Sequence, residues 1–288
     1  MEVDGTFTIN NAGTMVLDIT SDTLTLADDF DLTNLNTFPA TGSTVAFDGN
    51  SVLTSSGRTF NNIRLGTAAA GGSLTLADNL LAGSLSVTNV GATSFTMSGR
   101  ILSISGTADF RNLDTFTGTG STLRFNGGAA QDFYPGGITF AGVDTQTANT
   151  DINLAGDLAY ETLTIAAGTF IHLNGYRLED PVTSFDNQGI LYRLGTAGEV
   201  APPDGDSGRV VYEGTGGTIQ SYAADPEYFD IEIAGTGNFA LAGDIQASRD
   251  LIITTGTFDL AGFTLTLDRN FNHAGGTFTH NNGEVVFE

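Results

Sequence analysis

Apolar and polar residues alternate along this chain. Stretches such as DTLTLAD (residues 22–28), GSTVAFDG (42–49), SLTLAD (73–78), TLRFNG (122–127), DLIITTGTFDLAG (250–262) and GEVVFE (283–288) set Leu, Ile, Val or Phe between Thr, Ser, Asp or Asn. A period of two lines up one face of an extended segment, so these stretches predict short strands with one buried face. Thr and the β-branched residues suit strands, and Gly, Asn and Asp punctuate between them. No long stretch carries a 3.6-residue period, which predicts little or no helix.

A longer repeat overlies the alternation. Residues 37–49 (TFPATGSTVAFDG) echo residues 115–127 (TFTGTGSTLRFNG), which places Phe47 and Phe125 78 positions apart. RVVYEG (209–214) and EVVFE (284–288) echo them more faintly, with steps of 87 from Phe125 to Tyr212 and 75 from Tyr212 to Phe287. Two further landmarks keep the same order: RTFNNIRL, ITFAGVDT and YFDIEI, then LTLADN, INLAGD and FALAGD.

Short strands with regular turns fit a parallel β-solenoid or a tandem β-sandwich array. The solenoid is favoured on three grounds. Turns follow quickly, without long crossings. Phe falls at inward parity, where stacked coils would align it. The repeat length drifts without losing the pattern, as a solenoid permits by extruding loops. The expectation is therefore all-β: a single continuous β-solenoid over 1–288, with three to four coils per repeat and repeats at about 1–58, 59–137, 138–226 and 227–288.

Composition narrows the function. The net charge is −23, all ten basic residues are Arg, and there is no Cys. Such a surface cannot neutralise phosphates, so nucleic acid is not an expected partner, nor is an anionic membrane. No apolar run is long enough for a spanning helix, and no membrane insertion by this segment is expected. Without Cys there are no disulfides and no thiolate chemistry. The start, MEVDGTF, lacks a basic region followed by an apolar stretch. The repeat also runs into both ends, so the chain reads as a segment of a longer array, with any secretion signal lying upstream.

Runs such as GGSLTLADNLLAGSLSVTN (71–89) and LIITTGTFDLAGFTLTLDRNFNHAGGTFTHNNGEVVF (251–287) resemble the Gly/Thr/Asn-rich arrays of large secreted bacterial surface proteins. These include autotransporter passengers and filamentous-haemagglutinin-like adhesins. The resemblance covers nearly the whole chain in style. It implies a right-handed parallel β-helix, display at the cell surface and an adhesive or stalk role, and it carries over no catalytic residue.

A single functional site should break the repeat. Asp78, Asp157 and Asp244 recur with it and read as turn residues bonding nearby backbone amides. Gln131 and Gln220 recur likewise. The clearest departure, residues 195–208, holds two of the six prolines and predicts a protruding loop. Its Glu199, Asp204 and Asp206 are the candidate Ca2+ ligands, although DGDSG departs from a Ca2+-loop pattern at Gly208. The second candidate is YAADPEY (222–228). Tyr222 and Tyr228 would pack on sugar faces while Asp225 and Glu227 accept hydroxyl protons, with an ordinary corner of the coil as the alternative. Asp28, Asp29 and Asp31 form a small acidic cluster. His273 and His280 lack acidic partners at ligand spacing, and no serine-hydrolase elbow is present.

Three functions are carried forward. The first is a non-enzymatic structural or adhesive rod segment at the cell surface, meeting a host or neighbouring cell, a glycan or matrix. The second is a β-helix that binds or degrades polysaccharide, using acids in a groove. The third is a subunit that associates end to end into an extracellular fibre. No cofactor beyond Ca2+ is expected.

Overall fold

A computed structural model of the protein describes residues 2–8, 14–88, 91–179, 183–222 and 226–288. Every regular helix or strand element among them is a β-strand. The chain divides into two compact units, Met1–Asp144 and Thr145–Glu288. Each is a parallel β-solenoid, as the alternation predicts.

In the first unit a coil has three sides. One side stacks Thr23–Leu26 on Thr44–Phe47, and then on the later residues of Thr59–Leu65 and Leu80–Val87. A second side is a sheet of Phe7–Thr8, Phe30–Asp31, Asn50–Thr54, Ser73–Leu76, Ser94–Thr96 and Thr115–Thr117. The third takes the first residues of Thr59–Leu65 and Leu80–Val87, then Ile101–Ile104 and Thr122–Phe125. Thr59–Leu65 and Leu80–Val87 therefore turn a corner within one strand. The period of two slips there: Phe60 is buried, then Ile63 and Leu65. The slip lets both sides present apolar residues to the interior.

The second unit repeats this plan. Tyr212, Ile233, Ile253 and His273 follow one another in register on one side. Tyr228, Ala247, Leu267 and Phe287 do so on another. Gly217–Ile219, Asn238–Leu241, Thr257–Asp259 and Thr277–Thr279 form the third.

The long sequence repeat proves to be a fractional number of coils. Phe60, Ala82, Ile104 and Phe125 stand in one column, three coils from end to end. Phe47 lies two sides before Phe60, in the column of Leu65 and Val87. The echo from Phe47 to Phe125 thus spans three coils and two sides. From Tyr212 to Phe287 the same count holds, with Tyr228 in the place of Phe60. A residue repeated at this period returns on a different side of the coil, not in a line along one face.

Interior columns are filled by Phe, Leu, Ile and Val. In the first unit Phe110 meets Phe95, Phe116, Phe133 and Phe140 with ring centroids 5.2–6.5 Å apart. In the second, Phe239 and Phe258 are buried one above the other. Such rings supply much of the buried apolar area that offsets chain entropy.

The recurring aspartates do bond backbone amides, but on the adjacent coil and not in their own turn. Asp78 accepts from Ser55 N–H at 2.8 Å and Ser56 N–H at 2.7 Å, Asp157 from Arg177 N–H at 2.9 Å, and Asp244 from Thr264 N–H at 2.7 Å. Asp29, Asp114 and Asp250 also accept from an amide about one coil away. At a corner the ladder is interrupted, and an amide left there needs an acceptor. Part of the acidity of the chain is therefore built into the stacking of its coils.

Candidate functional site

The repeat breaks where the interior turns polar. Residues 195–208 do not protrude as a loop, and that expectation is corrected. Glu199 is fully buried and Ala201 nearly so, and from Asp204 the chain is already in strand Asp204–Tyr212. The cause lies in neighbouring groups that need partners. The Glu199 carboxylate accepts the N–H of Gly175, one coil away, and that of Gly195, both at 2.8 Å. Its carbonyl accepts Arg193 Nη2 at 3.0 Å and Gln220 Nε2 at 2.8 Å.

Arg193 is the centre of this cluster. It ends strand Ile190–Arg193 at a position where the alternation points inward, and it is 1% exposed. Nη2 also donates to Gln220 Oε1 at 2.6 Å, and Nη1 to Tyr222 Oη at 3.2 Å. The guanidinium lies 5.4 Å from the centroid of the Tyr212 ring, within reach of a cation–π attraction. Tyr222 donates to Gln220 Oε1 and Tyr228 to the Gln220 carbonyl, each at 2.6 Å, and the Tyr212 and Tyr228 hydroxyls meet at 3.2 Å. Burial pushes the Tyr222 and Tyr228 hydroxyls above the ordinary tyrosine range. Glu227, also buried, accepts Gln246 N–H at 2.6 Å and Tyr222 N–H at 3.4 Å.

The structure thus gathers Glu199, Tyr222, Glu227 and Tyr228 from two separate sequence candidates into one buried network. It does not bring Asp204 and Asp206 to Glu199. Asp204 accepts Asn187 N–H at 2.6 Å, and the Asp206 N–H approaches Asp204 Oδ1 at 3.5 Å. Burial and the neighbouring Asp206 carboxyl raise Asp204 to about 7, while Asp206 lies below the usual range. The proposed Ca2+ set does not fit, because both Glu199 oxygens are held by amides inside the coil. Among the described residues no group of three His, Cys, Asp or Glu is placed to hold a metal ion. Asp225 lies outside the described residues.

The glycan reading needed Tyr222 and Tyr228 to offer ring faces outward. Tyr228 is 2% exposed and Tyr222 is largely enclosed by Arg193, Gln220 and Tyr228. Asp28, Asp29 and Asp31 are likewise engaged singly, with the amides of Asp29, Val52 and Thr33. Three outer clefts, of about 350, 350 and 290 Å3, are lined by other residues, among them Asp48 and Asp114, Phe38 and Phe60, and Arg209 and Arg249.

Sequence reasoning passed over Arg193. The signal was present: in ILYR the Arg takes the parity that the surrounding pattern reserves for apolar residues. His172 was also missed. It lies between Asp151 and Glu213, which are distant in sequence and adjacent only once the coils stack. Compared with protein-family models, with curated proteins and with solved structures, the chain matches none.

Proposed function

We propose that this chain is a structural and adhesive segment of an extracellular bacterial surface repeat protein, acting as a stiff scaffold and not by chemistry on a substrate. The observation that carries this reading is the inward turn of Glu199, in the stretch that breaks the repeat, to join Arg193 and the recurring Gln220 in a buried network. Arg193, Glu199, Gln220, Tyr228 and Glu227 bond to one another and to backbone groups, which suits holding coils together. A parallel ladder supports the same role. Each coil is tied to the next by many hydrogen bonds, each worth about 0.5–1.5 kcal/mol net, and separating two coils breaks several together. The excess of carboxylates keeps the surface soluble and unattractive to nucleic acid.

Two assays on the purified chain test the proposal. Stretched between two handle domains, it should resist force and lengthen in steps that are multiples of one coil. Incubated with a panel of acidic and neutral polysaccharides, it should release no new reducing ends. Cleavage that disappears in a folded Glu199→Gln or Glu227→Gln variant would overturn the scaffold reading in favour of a polysaccharide-degrading one.

A further inference from the structure

In the second unit, one histidine ties together coils that the strand ladder does not join directly. Asp151–Leu154, Phe170–His172 and Ile190–Arg193 are successive strands of one side, and Asp204–Tyr212 follows them. His172 sits above Asn153 and below Tyr192 in register. Its Nδ1 lies 2.8 Å from Glu213 Oε1, and its Nε2 lies 3.3 Å from Asp151 Oδ1. Its ring stacks on Tyr192 at 4.2 Å with an interplanar angle of 1°. Asp151 is thus on the coil before His172, while Glu213 is two coils beyond it. Ladder hydrogen bonds link only neighbouring coils, so the stability of a solenoid is close to a sum of nearest-neighbour interfaces. This contact spans three of those interfaces at once.

The two nitrogens face opposite carboxylates, which excludes the chelation of one metal ion by all three residues. It suits a proton instead. A neutral imidazole with its N–H on Nδ1 can keep the Glu213 hydrogen bond but carries no charge. The imidazolium keeps that bond and also attracts Asp151, whose Oδ1 is buried without a hydrogen-bond partner. The charged groups around it are Asp151 on the preceding strand and Glu213 beyond the strand two coils on. Tyr192 on the intervening strand is neutral, and Glu232 and Arg209 lie farther along the same side. We propose that His172 is a pH-responsive clasp: protonated, it locks the coils from Asp151 to Glu213 together, and on losing its proton it frees them to part locally.

The electrostatics agree. Burial opposes the charge on His172, but the Glu213 hydrogen bond and the Glu213 and Asp151 charges outweigh it and raise its pKa above 6.5. A group raised in the folded state gives its full stabilisation below the unfolded value and loses it as pH climbs through the folded one. Acid therefore tightens the clasp and alkali loosens it. Each pH unit by which His172 titrates above 6.5 corresponds to about a tenfold change in the local opening equilibrium.

The test is an NMR titration of the three histidines, assigned with His273→Gln and His280→Gln, alongside hydrogen exchange at residues 170–172 and 190–193. His172 should titrate above 6.5. Opening at these amides, corrected for intrinsic exchange, should rise severalfold from pH 5.5 to 8.5. His172→Gln should flatten that rise, and Glu213→Gln should lower the titration of His172 while leaving His273 and His280 unchanged. The proposal is overturned if His172 titrates at or below 6.5. It is equally overturned if folded His172→Gln, or folded Glu213→Gln, keeps the wild-type dependence of opening on pH.

Discussion

Arg193 Nη2 and Gln220 Oε1 meet at 2.6 Å inside the second unit, and the same nitrogen donates to the Glu199 carbonyl at 3.0 Å. A charge so enclosed is tolerated only because acceptors surround it. Replacing Arg193 with Leu keeps bulk but removes three hydrogen bonds from a charged donor, to Gln220 Oε1, the Glu199 carbonyl and Tyr222 Oη. Gln220 Oε1 keeps the Tyr222 hydroxyl, and the Glu199 carbonyl keeps Gln220 Nε2. A hydrogen bond to a charged group contributes about 1.5–3 kcal/mol, and part of that is offset by relieving a buried charge, so Arg193→Leu should destabilise the chain by on the order of 3 kcal/mol. Arg193→Lys should recover little, since an ammonium cannot reproduce the fork of a guanidinium. Urea denaturation measures the loss, and hydrogen exchange should place it in residues 190–233. A Leu variant as stable as wild type would show that the network contributes nothing net.

The strands and their inward parity were readable because alternation is a local property. Phe47, Phe60, Phe125 and Phe133 are buried where the pattern puts them. The length of the repeat was readable too, but not its geometry. A count of 78 residues does not reveal where coils close, because closure depends on corners such as the one between Phe60 and Ile63. The segment 195–208 was misread for a different reason. Pro-Pro and Asp-Gly are turn signals, yet Glu199 is drawn inward by the amides of Gly175 and Gly195, one of them a coil away. The acceptor role of Asp78 was legible, whereas its donors Ser55 and Ser56 lie 23 and 22 residues back and become neighbours only through stacking.

The ring cluster of the first unit offers a test of the core. Phe110 is fully buried and touches four other rings. Phe110→Ala removes its transfer energy and leaves a cavity, so a loss of about 3–5 kcal/mol is expected. A shift of the urea midpoint with an unchanged slope would give that value. A loss below about 1 kcal/mol would mean that the neighbouring rings collapse into the space.

Two glycines separate close approach from backbone conformation. A Cβ on Gly49 would lie 1.8 Å from the carbonyl oxygen of Ala27, on the coil before it. A Cβ on Gly57 would meet nothing within 4 Å, but its φ is +74°. Gly57→Ala should therefore cost about 1–2 kcal/mol, the strain of a left-handed residue. Gly49→Ala must push two coils apart, and its cost should exceed that of Gly57→Ala. Comparing the two midpoints decides the point, and equal losses would count against backbone contact at Gly49.

Asp204 adds a pH dependence distinct from that of His172. Its carboxyl is raised from 3.8 to about 7, first by burial and then by the neighbouring Asp206. Between those two values the folded chain holds a proton that the unfolded chain has released. Stability therefore falls as pH rises through this window and changes no further, on this account, above about 7. Asp204→Asn keeps an oxygen for the amide of Asn187, which Asp204 Oδ2 accepts at 2.6 Å, and removes the charge. The variant should match wild type near pH 4, exceed it in stability at pH 8, and show a flatter profile between them. His172→Gln should depart from wild type in the opposite sense, being less stable at low pH and converging with it above 6.5. Urea midpoints for the three proteins at pH 4, 5.5, 7 and 8.5 resolve both effects. A difference between wild type and Asp204→Asn that stays constant from pH 4 to 8.5 would show that Asp204 ionises as an ordinary carboxyl, with Asp206 and burial exerting no net hold on its proton.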